Sequence, residues 1–245
     1  MLEKARWIPQ HRKPRIIDTF RGSVTDILGS REVGDGLARP QAFMVEQEAN
    51  WVTPAHFHLQ DQFQVVTAGG GAIGKHAVAP LAVHFAGADT GYGPITAGPA
   101  GVSYLTLRAA HDTGASYLHK PGSREKMRPA LAKQQAYGAP IAAIGPVRTI
   151  EREVLIAPKE NGLAAHRVRL PAGAALDAID AAAAHGGCYY IVTGGGVQAD
   201  GASLDALAVL FASAGESPAI RAGDAGADVL VLAFPRDVYA RPAGA

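Results

Sequence analysis

The sequence predicts an all-β protein made of two similar halves. Short runs rich in β-branched and aromatic residues recur along it, FQVV, LAVHF, VSYLTLR, CYYIV, LAVLF and ADVLVLAFP, separated by Gly, Pro and Asp punctuation. The phrase Val65-Val66-Thr67-Ala68-Gly69-Gly70-Gly71 returns as Ile191-Val192-Thr193-Gly194-Gly195-Gly196, and each copy is followed by a further punctuated strand pair, over 93–108 and 209–235. Between the halves, the charged stretch from Ser116 to Gln135 carries Pro121 and Pro129 and reads as a linker with at most a short helix.

Taken in chain order, residues 1–20 form a leading arm with Trp7 and several basic residues, expected to wrap across the other domain or a second subunit. Residues 21–112 make the first domain, 113–150 the linker and 151–240 the second domain. The alanine-rich segment 174–187 has high helix propensity, yet its place before CYYIVTGGG suits a strand or loop, and its state stays open. The triplets Gly69-Gly70-Gly71 and Gly194-Gly195-Gly196 lack the Lys-Ser/Thr of a phosphate loop and read as strand-end turns.

Composition narrows the function classes. With 48% hydrophobic and 18% charged residues over 245 positions, the chain is a soluble globular protein with room for one large or two small domains. A net charge of +1 gives no electrostatic case for nucleic acid or an anionic membrane as the main partner. One cysteine, Cys188, cannot form an intramolecular disulfide and suits a reducing compartment. The first twenty residues lack the apolar stretch of a signal peptide and no apolar run reaches spanning length, so the expected location is cytoplasmic. Zinc-finger cysteine pairs, a serine elbow and a supported Cys-His pairing are all missing.

The stretch AHFHLQDQFQVVTAGGG, residues 55–71, carries the chemistry. His56, His58, Gln62 and Gln64 are all even-numbered, so on an extended strand they share one face, while Phe57, Leu59 and Phe63 make the other face apolar. Two neutral imidazoles two residues apart can bind one borderline metal such as Zn, Fe, Ni or Cu; the other reading is a hydrogen-bonded polar pocket without metal. Asp61 has the opposite parity and is expected to be structural.

These residues resemble the cupin superfamily, specifically a two-domain bicupin. His56-Phe57-His58, three residues, Gln62, six residues and Gly69 follow the first cupin motif, with Gln in place of its Glu and the leading Gly absent. Gly93, Pro99-Ala100-Gly101, Tyr104 and Arg108 reproduce every spacing of the second motif, with Tyr104 in place of its His and Arg108 in place of its Asn. The resemblance covers residues 40–110 well and 165–235 weakly. It implies tandem double-stranded β-helix (jelly-roll) barrels, with the His pair pointing inward and commonly holding a divalent metal, here Fe, Mn, Ni, Cu or Zn. A homodimer is a habit of the family.

Around that pair, His84 lies mid-strand between Val83 and Phe85 and would complete three imidazoles if it faces inward; otherwise it is a satisfied core histidine. His76, beside Lys75 near a turn, is expected to face solvent. Tyr104 either offers a phenol as donor or acid or fills a β core; Gln62 is its partner in holding a substrate oxygen, and Gln64 shares the substrate face. Arg108 either clamps an anionic substrate or is a solvated strand end. In the second half, alignment of the two threonines sets Ala182, Ala184 and Cys188 opposite His56, His58 and Gln62, with Pro218 opposite Tyr104 and His185 off-register. Every ligand position is thereby lost, leaving a structural barrel. Two functions remain open: a metal-dependent, dioxygenase-like enzyme acting on a small oxygenated or carboxylated molecule, and a small-molecule binding or sensing protein without turnover.

Overall fold

The computed structural model describes residues 2–29, 40–128, 134–141, 146–176 and 186–236. All six β-rich runs singled out in the sequence lie in or along strands, and every strand pairing is antiparallel. The first sheet runs Gln135–Gly138, Val83–Ala86, Gln62–Ile73, Ile95–Arg108, Gln41–Gln47, Phe20–Leu28 and Lys13–Ile17, with Val52–Thr53 and His76–Val78 paired beside it. The second runs Leu2–Arg6, Ala208–Ala212, Cys188–Ala199, Ile220–Ala233, Ala164–Leu170 and Glu151–Ile156, with Ala202–Asp205 alongside. No helix among the described residues is long and apolar enough to cross a membrane.

The repeat seen in the sequence is a repeat of backbone geometry. The central strands have matching lengths, 12 residues for Gln62–Ile73 and Cys188–Ala199 and 14 for Ile95–Arg108 and Ile220–Ala233. In each half a glycine of the triplet crosses a glycine of the neighbouring strand: a Cβ on Gly69 would stand 2.2 Å from the Gly101 oxygen, and one on Gly195 2.2 Å from the Gly226 oxygen. Both triplet glycines have positive φ, +66° and +64°, which only glycine adopts cheaply. The triplets are therefore not strand-end turns. They lie inside long strands, at register shifts that bend the strand and let two backbones touch.

Each sheet takes an edge strand from outside its own half. Leu2–Arg6 pairs with Ala208–Ala212, so the leading arm crosses to the second half of the same chain. Gln135–Gly138, from the expected linker, pairs with Val83–Ala86 and covers the matching edge of the first sheet. The same linker supplies Ser116–Tyr117, which pairs with His56–Phe57, and its only helical turn in the described residues is the short 3-10 turn Arg124–Lys126. Most of the alanine-rich segment, with Ala182, Ala184 and His185, lies outside the described residues.

The two sheets meet through one face of each. Phe63, Phe85, Leu105 and Leu107 from the first pack with Tyr189, Ile191, Phe211, Leu230, Leu232 and Phe234 from the second. The Phe63 ring stands 4.9 Å from Phe85 and 4.9 Å edge-on to Phe234, and each fully buried side chain of this size stabilises by roughly 1.5–3 kcal/mol. Alternation then turns the intervening residues of the same strands into the barrels, the even-numbered ones over Gln62–Val66 and Tyr104–Arg108 but the odd-numbered ones, Val229 and Val231, on Ile220–Ala233.

Candidate functional site

In the first barrel the inward residues include a cluster of polar side chains among apolar ones such as Phe43, Val45 and Val66. Cross-strand partners Thr106 and Gln64, and Tyr104 and Val66, place both strands' side chains on the lumen side, and Gln41 sits opposite Arg108 on the next strand. Gln64, Tyr104, Thr106 and Arg108 line a cavity of about 190 Å³ together with His56, His58 and Gln62. Gln62, Gln64, His56, His58, Tyr104 and Arg108 are all buried. For Arg108 burial excludes the solvated strand end, and for Tyr104 the cavity position favours the pocket reading over a core filler.

The hydrogen bonds leave little freedom in where the protons sit. His56 Nδ1 is 2.8 Å from the Pro54 carbonyl oxygen, which can only accept, so Nδ1 carries the hydrogen and Nε2 the lone pair. Tyr92 then donates its hydroxyl to His56 Nε2 at 2.7 Å. Gln62 Nε2 donates to the Tyr92 oxygen at 2.6 Å, and Gln62 Oε1 accepts from Arg108 Nε and Nη2 at 3.2 and 3.0 Å. A directed chain of donors thus runs from Arg108 through Gln62 and Tyr92 to His56 and ends on a carbonyl. Tyr92 reaches the His56 ring because the two residues form a backbone bridge, which puts their side chains on one face.

His58 is held differently. Its Nδ1 donates to Asp112 Oδ1 at 2.8 Å. The Asp112 carboxylate, with no exposed side-chain surface, also accepts from the backbone N–H of Leu59 and Gly114 and lies 3.7 Å from Arg108 Nη1. Arg108 Nη2 stands 3.1 and 3.3 Å from the two His58 ring nitrogens. Being nearly equidistant from both, it is in line with neither lone pair, so His58 Nε2 keeps its lone pair for another donor.

Burial sets the protonation states. It lowers His56 to about 3, with the neighbouring His58 adding to the effect. His58 is lowered by burial and by Arg108 against the opposing pull of Asp112. For Asp112 burial pushes upward, but the bond from His58 and the charges of His58 and Arg108 outweigh it and hold the carboxyl well below the usual range. Burial raises both Tyr92 and Tyr104, so both stay protonated. At neutral pH the cavity holds neutral imidazoles, one guanidinium and one carboxylate, with a second guanidinium, Arg15, at its exposed edge.

His84 is not part of this group. It pairs with Gln64 across the ladder and donates Nδ1–H to Gln64 Oε1 at 2.7 Å, but it does not line the cavity. Its ring stacks on Tyr137 at 4.5 Å, lies 5.0 Å from Tyr92, and its Nε2 has no hydrogen-bond partner among the described residues. His76 is half-buried and stacks on the same Tyr137 at 3.7 Å instead of facing open solvent. Asp61 accepts from the Ala88 N–H at 2.7 Å, the structural role its parity predicts.

The donors around the cavity are already committed. His56 has both nitrogens engaged, His58 has one, His84 is outside, and Gln62 turns its oxygen to Arg108. The permanent charge of Arg108 lies beside His58, where a second cation would be repelled. Among the described residues no three His, Cys, Asp or Glu side chains are grouped to hold a metal ion. This donor set does not fit a divalent metal.

No protein-family profile and no curated protein matches the chain. Solved structures do. An 11S allergen from Cocos nucifera L. is 11% identical with a TM-score of 0.63, over 96% of this chain and 89% of that one. The bacterial pirin YhhW from Escherichia coli, in complex with nickel(II), is 11% identical with a TM-score of 0.59, over 97% and 100%. The oxalate decarboxylase of Lactobacillus farciminis, a formate complex, is 13% identical with a TM-score of 0.59, over 94% and 86%. The chain has a bicupin fold.

The two barrels of the fold differ in what fills them. Gln62 pairs with Ala86 and Cys188 with Ala212, which confirms Cys188 as the counterpart of Gln62. The matching pairs Val66 with Tyr104 and Val192 with Val229 make Val229 the counterpart of Tyr104. Pro218 is displaced from that role because Gly101 corresponds to Gly226, inside a strand, whereas Gly215 lies in the loop before it. Arg108 corresponds in strand position to Ala233. Val168, Leu170, Cys188, Tyr190, Val192 and Val231 then close the second lumen as an apolar core. Sequence reasoning missed Tyr92, Asp112 and Gln41, none of which falls within either motif.

Proposed function

We propose that the first barrel binds and acts on a small carboxylated or oxygenated molecule, anchored by Arg108 and held without a metal ion. One observation carries the reading: a buried guanidinium, braced by Gln41 and Gln62, faces a cavity lined by neutral donors and acceptors and by apolar side chains such as Phe43 and Val45, with Asp112 its one carboxylate. With Arg15 at the edge, two guanidiniums against one carboxylate leave a net positive charge, which favours a monoanion. A guanidinium fork also suits carboxylate geometry. A cavity of about 190 Å³ limits the molecule to a few carbon atoms, and one fold neighbour is an oxalate decarboxylase solved with formate.

The experiment that tests it pairs metal content with binding. Protein purified without a His tag is expected to contain no stoichiometric Fe, Mn, Ni, Cu or Zn, and to bind small carboxylates in calorimetry with affinity lost in Arg108→Gln. A near-stoichiometric metal that disappears in a His56→Ala/His58→Ala double variant would replace this reading with the metal-dependent, dioxygenase-like enzyme that the His pair suggests.

A further inference from the structure

The two histidines of the first barrel are unequal, and so are its tyrosines. His56 has its Nδ1–H on Pro54 and its Nε2 taken by Tyr92. His58 has Nδ1 tied down by a carboxylate fully buried beneath it, and its Nε2 meets only Arg108 Nη2 at 3.3 Å, off the line of the lone pair because the same nitrogen is 3.1 Å from Nδ1. Tyr92 has spent its hydrogen on His56 and its lone pair on Gln62. Tyr104 lines the same cavity, and among the described residues its hydroxyl has no hydrogen-bond partner. The site therefore contains one imidazole with an uncommitted lone pair and one phenol with an uncommitted hydrogen, next to a guanidinium.

We propose that His58, oriented by Asp112, is the general base of a metal-free proton transfer at the carbon beside a carbonyl, with Tyr104 as the acid facing the carbonyl oxygen. This rests on the anion-binding reading above, since Arg108 must first fix the substrate's carboxylate. In the step, His58 Nε2 takes the proton of the C–H bond next to the carbonyl. The C–H electron pair becomes the new C=C bond and the carbonyl pair moves to oxygen, which Tyr104 stabilises by donating its hydrogen. Return of a proton to carbon and reformation of C=O give an exchanged, epimerised or isomerised product, with no oxidant, reductant or co-reactant consumed. Asp112 is a positioning residue: it fixes the Nδ1–H tautomer that leaves Nε2 as base, and its negative charge stabilises the imidazolium formed when the proton arrives. Burial and Arg108 keep His58 neutral before the step, the state a base needs.

The test uses small 2-oxo acids (pyruvate, 2-oxobutyrate and 2-oxoglutarate) in D2O with the full-length chain. Saturation-transfer NMR reads their binding and the loss of the C3 proton signal reads exchange. At least one acid is expected to bind and exchange faster than in buffer, with exchange down at least about a hundredfold in His58→Gln and Tyr104→Phe while binding persists. In Asp112→Asn, nitrogen-15 shifts should show the His58 hydrogen moving from Nδ1 to Nε2 as exchange falls; the other two variants keep the test alive if this one does not fold. If none of the acids binds, the anion-site reading fails and this inference with it. Binding without exchange, exchange unchanged in His58→Gln, or an unmoved tautomer would overturn the base assignment alone.

Discussion

Tyr189, in the second barrel, sets its hydroxyl 3.1 Å from the main-chain carbonyl oxygen of Arg108 in the first. The same hydroxyl lies 3.0 Å from the Gln41 carbonyl oxygen, so one buried phenol bridges the two strands that carry Arg108 and Gln41. The apolar second barrel thus takes part in holding the site, from the far side of the shared core. Tyr189→Phe removes the donor and keeps the ring, leaving two buried carbonyls short of a partner. The expected cost is about 1–2 kcal/mol, a drop of roughly 3–6 °C in melting temperature by calorimetry. Melting unchanged within error would show that the bridge contributes nothing.

How far the site could be read from the sequence follows from how its residues are spaced. His56, His58, Gln62 and Gln64 announce themselves because strand parity is local, and the lumen does receive that face. Tyr104 and Arg108 were found through motif spacing, which encodes the register of one long strand against its neighbour. Asp112 lies 54 residues from the His58 it orients and Tyr92 lies 36 from the His56 it bonds, separations set by how the chain folds and not by any strand period. Phe57 pairing with Ser116 brings the loop behind Arg108 over the cavity, a contact no local pattern encodes. The same limit explains the misplaced Pro218: in sequence the loop glycine Gly215 looks like a glycine at a strand crossing, and what tells them apart is the close approach of Gly195 to Gly226, where an added Cβ would stand 2.2 Å from the facing oxygen, whereas Gly215 has open space around it.

Arg108 is held by Gln62 and Gln41 and neighbours Asp112, so its loss is more than a loss of ligand contact. In Arg108→Met the Asp112 carboxylate is left buried with His58 as its remaining side-chain partner, at an expected cost of about 3–5 kcal/mol. Arg108→Lys keeps the charge and loses the fork that spans both glutamines. The lysine variant should fold, melt below the wild type and bind carboxylates at least tenfold more weakly in titration calorimetry. Equal affinity in the lysine variant would mean that charge alone, without the fork, holds the ligand.

Acid should destabilise the fold through its buried histidines. Burial lowers His56 and His84 to about 3, against about 6.5 in an unfolded chain. Between those values the unfolded state binds one more proton per histidine, so stability falls as pH falls, by on the order of 1.4 kcal/mol per pH unit for each. Asp112, depressed in the folded state, contributes stability that is complete above its unfolded value of about 3.9 and is lost as pH falls below it. Urea unfolding from pH 7 to pH 4 should therefore show a steep loss, and His84→Gln should remove one proton from the slope. A slope identical in that variant would place the acid sensitivity elsewhere.

Cys188 occupies the position of Gln62 in the second barrel, and its fate follows from the apolar lumen around it. The thiol is 2% exposed and burial pushes it up to about 12. A thiol so placed has almost no thiolate at neutral pH and no path for a reagent. An aromatic disulfide reagent should leave the native protein unmodified over hours and titrate one thiol at once in guanidinium chloride. Prompt reaction in the native state would show that the second barrel opens, contrary to a lumen closed by Val168, Tyr190, Val192 and Val229. The rate of slow native labelling would then measure that opening directly, because modification can proceed only through the open form.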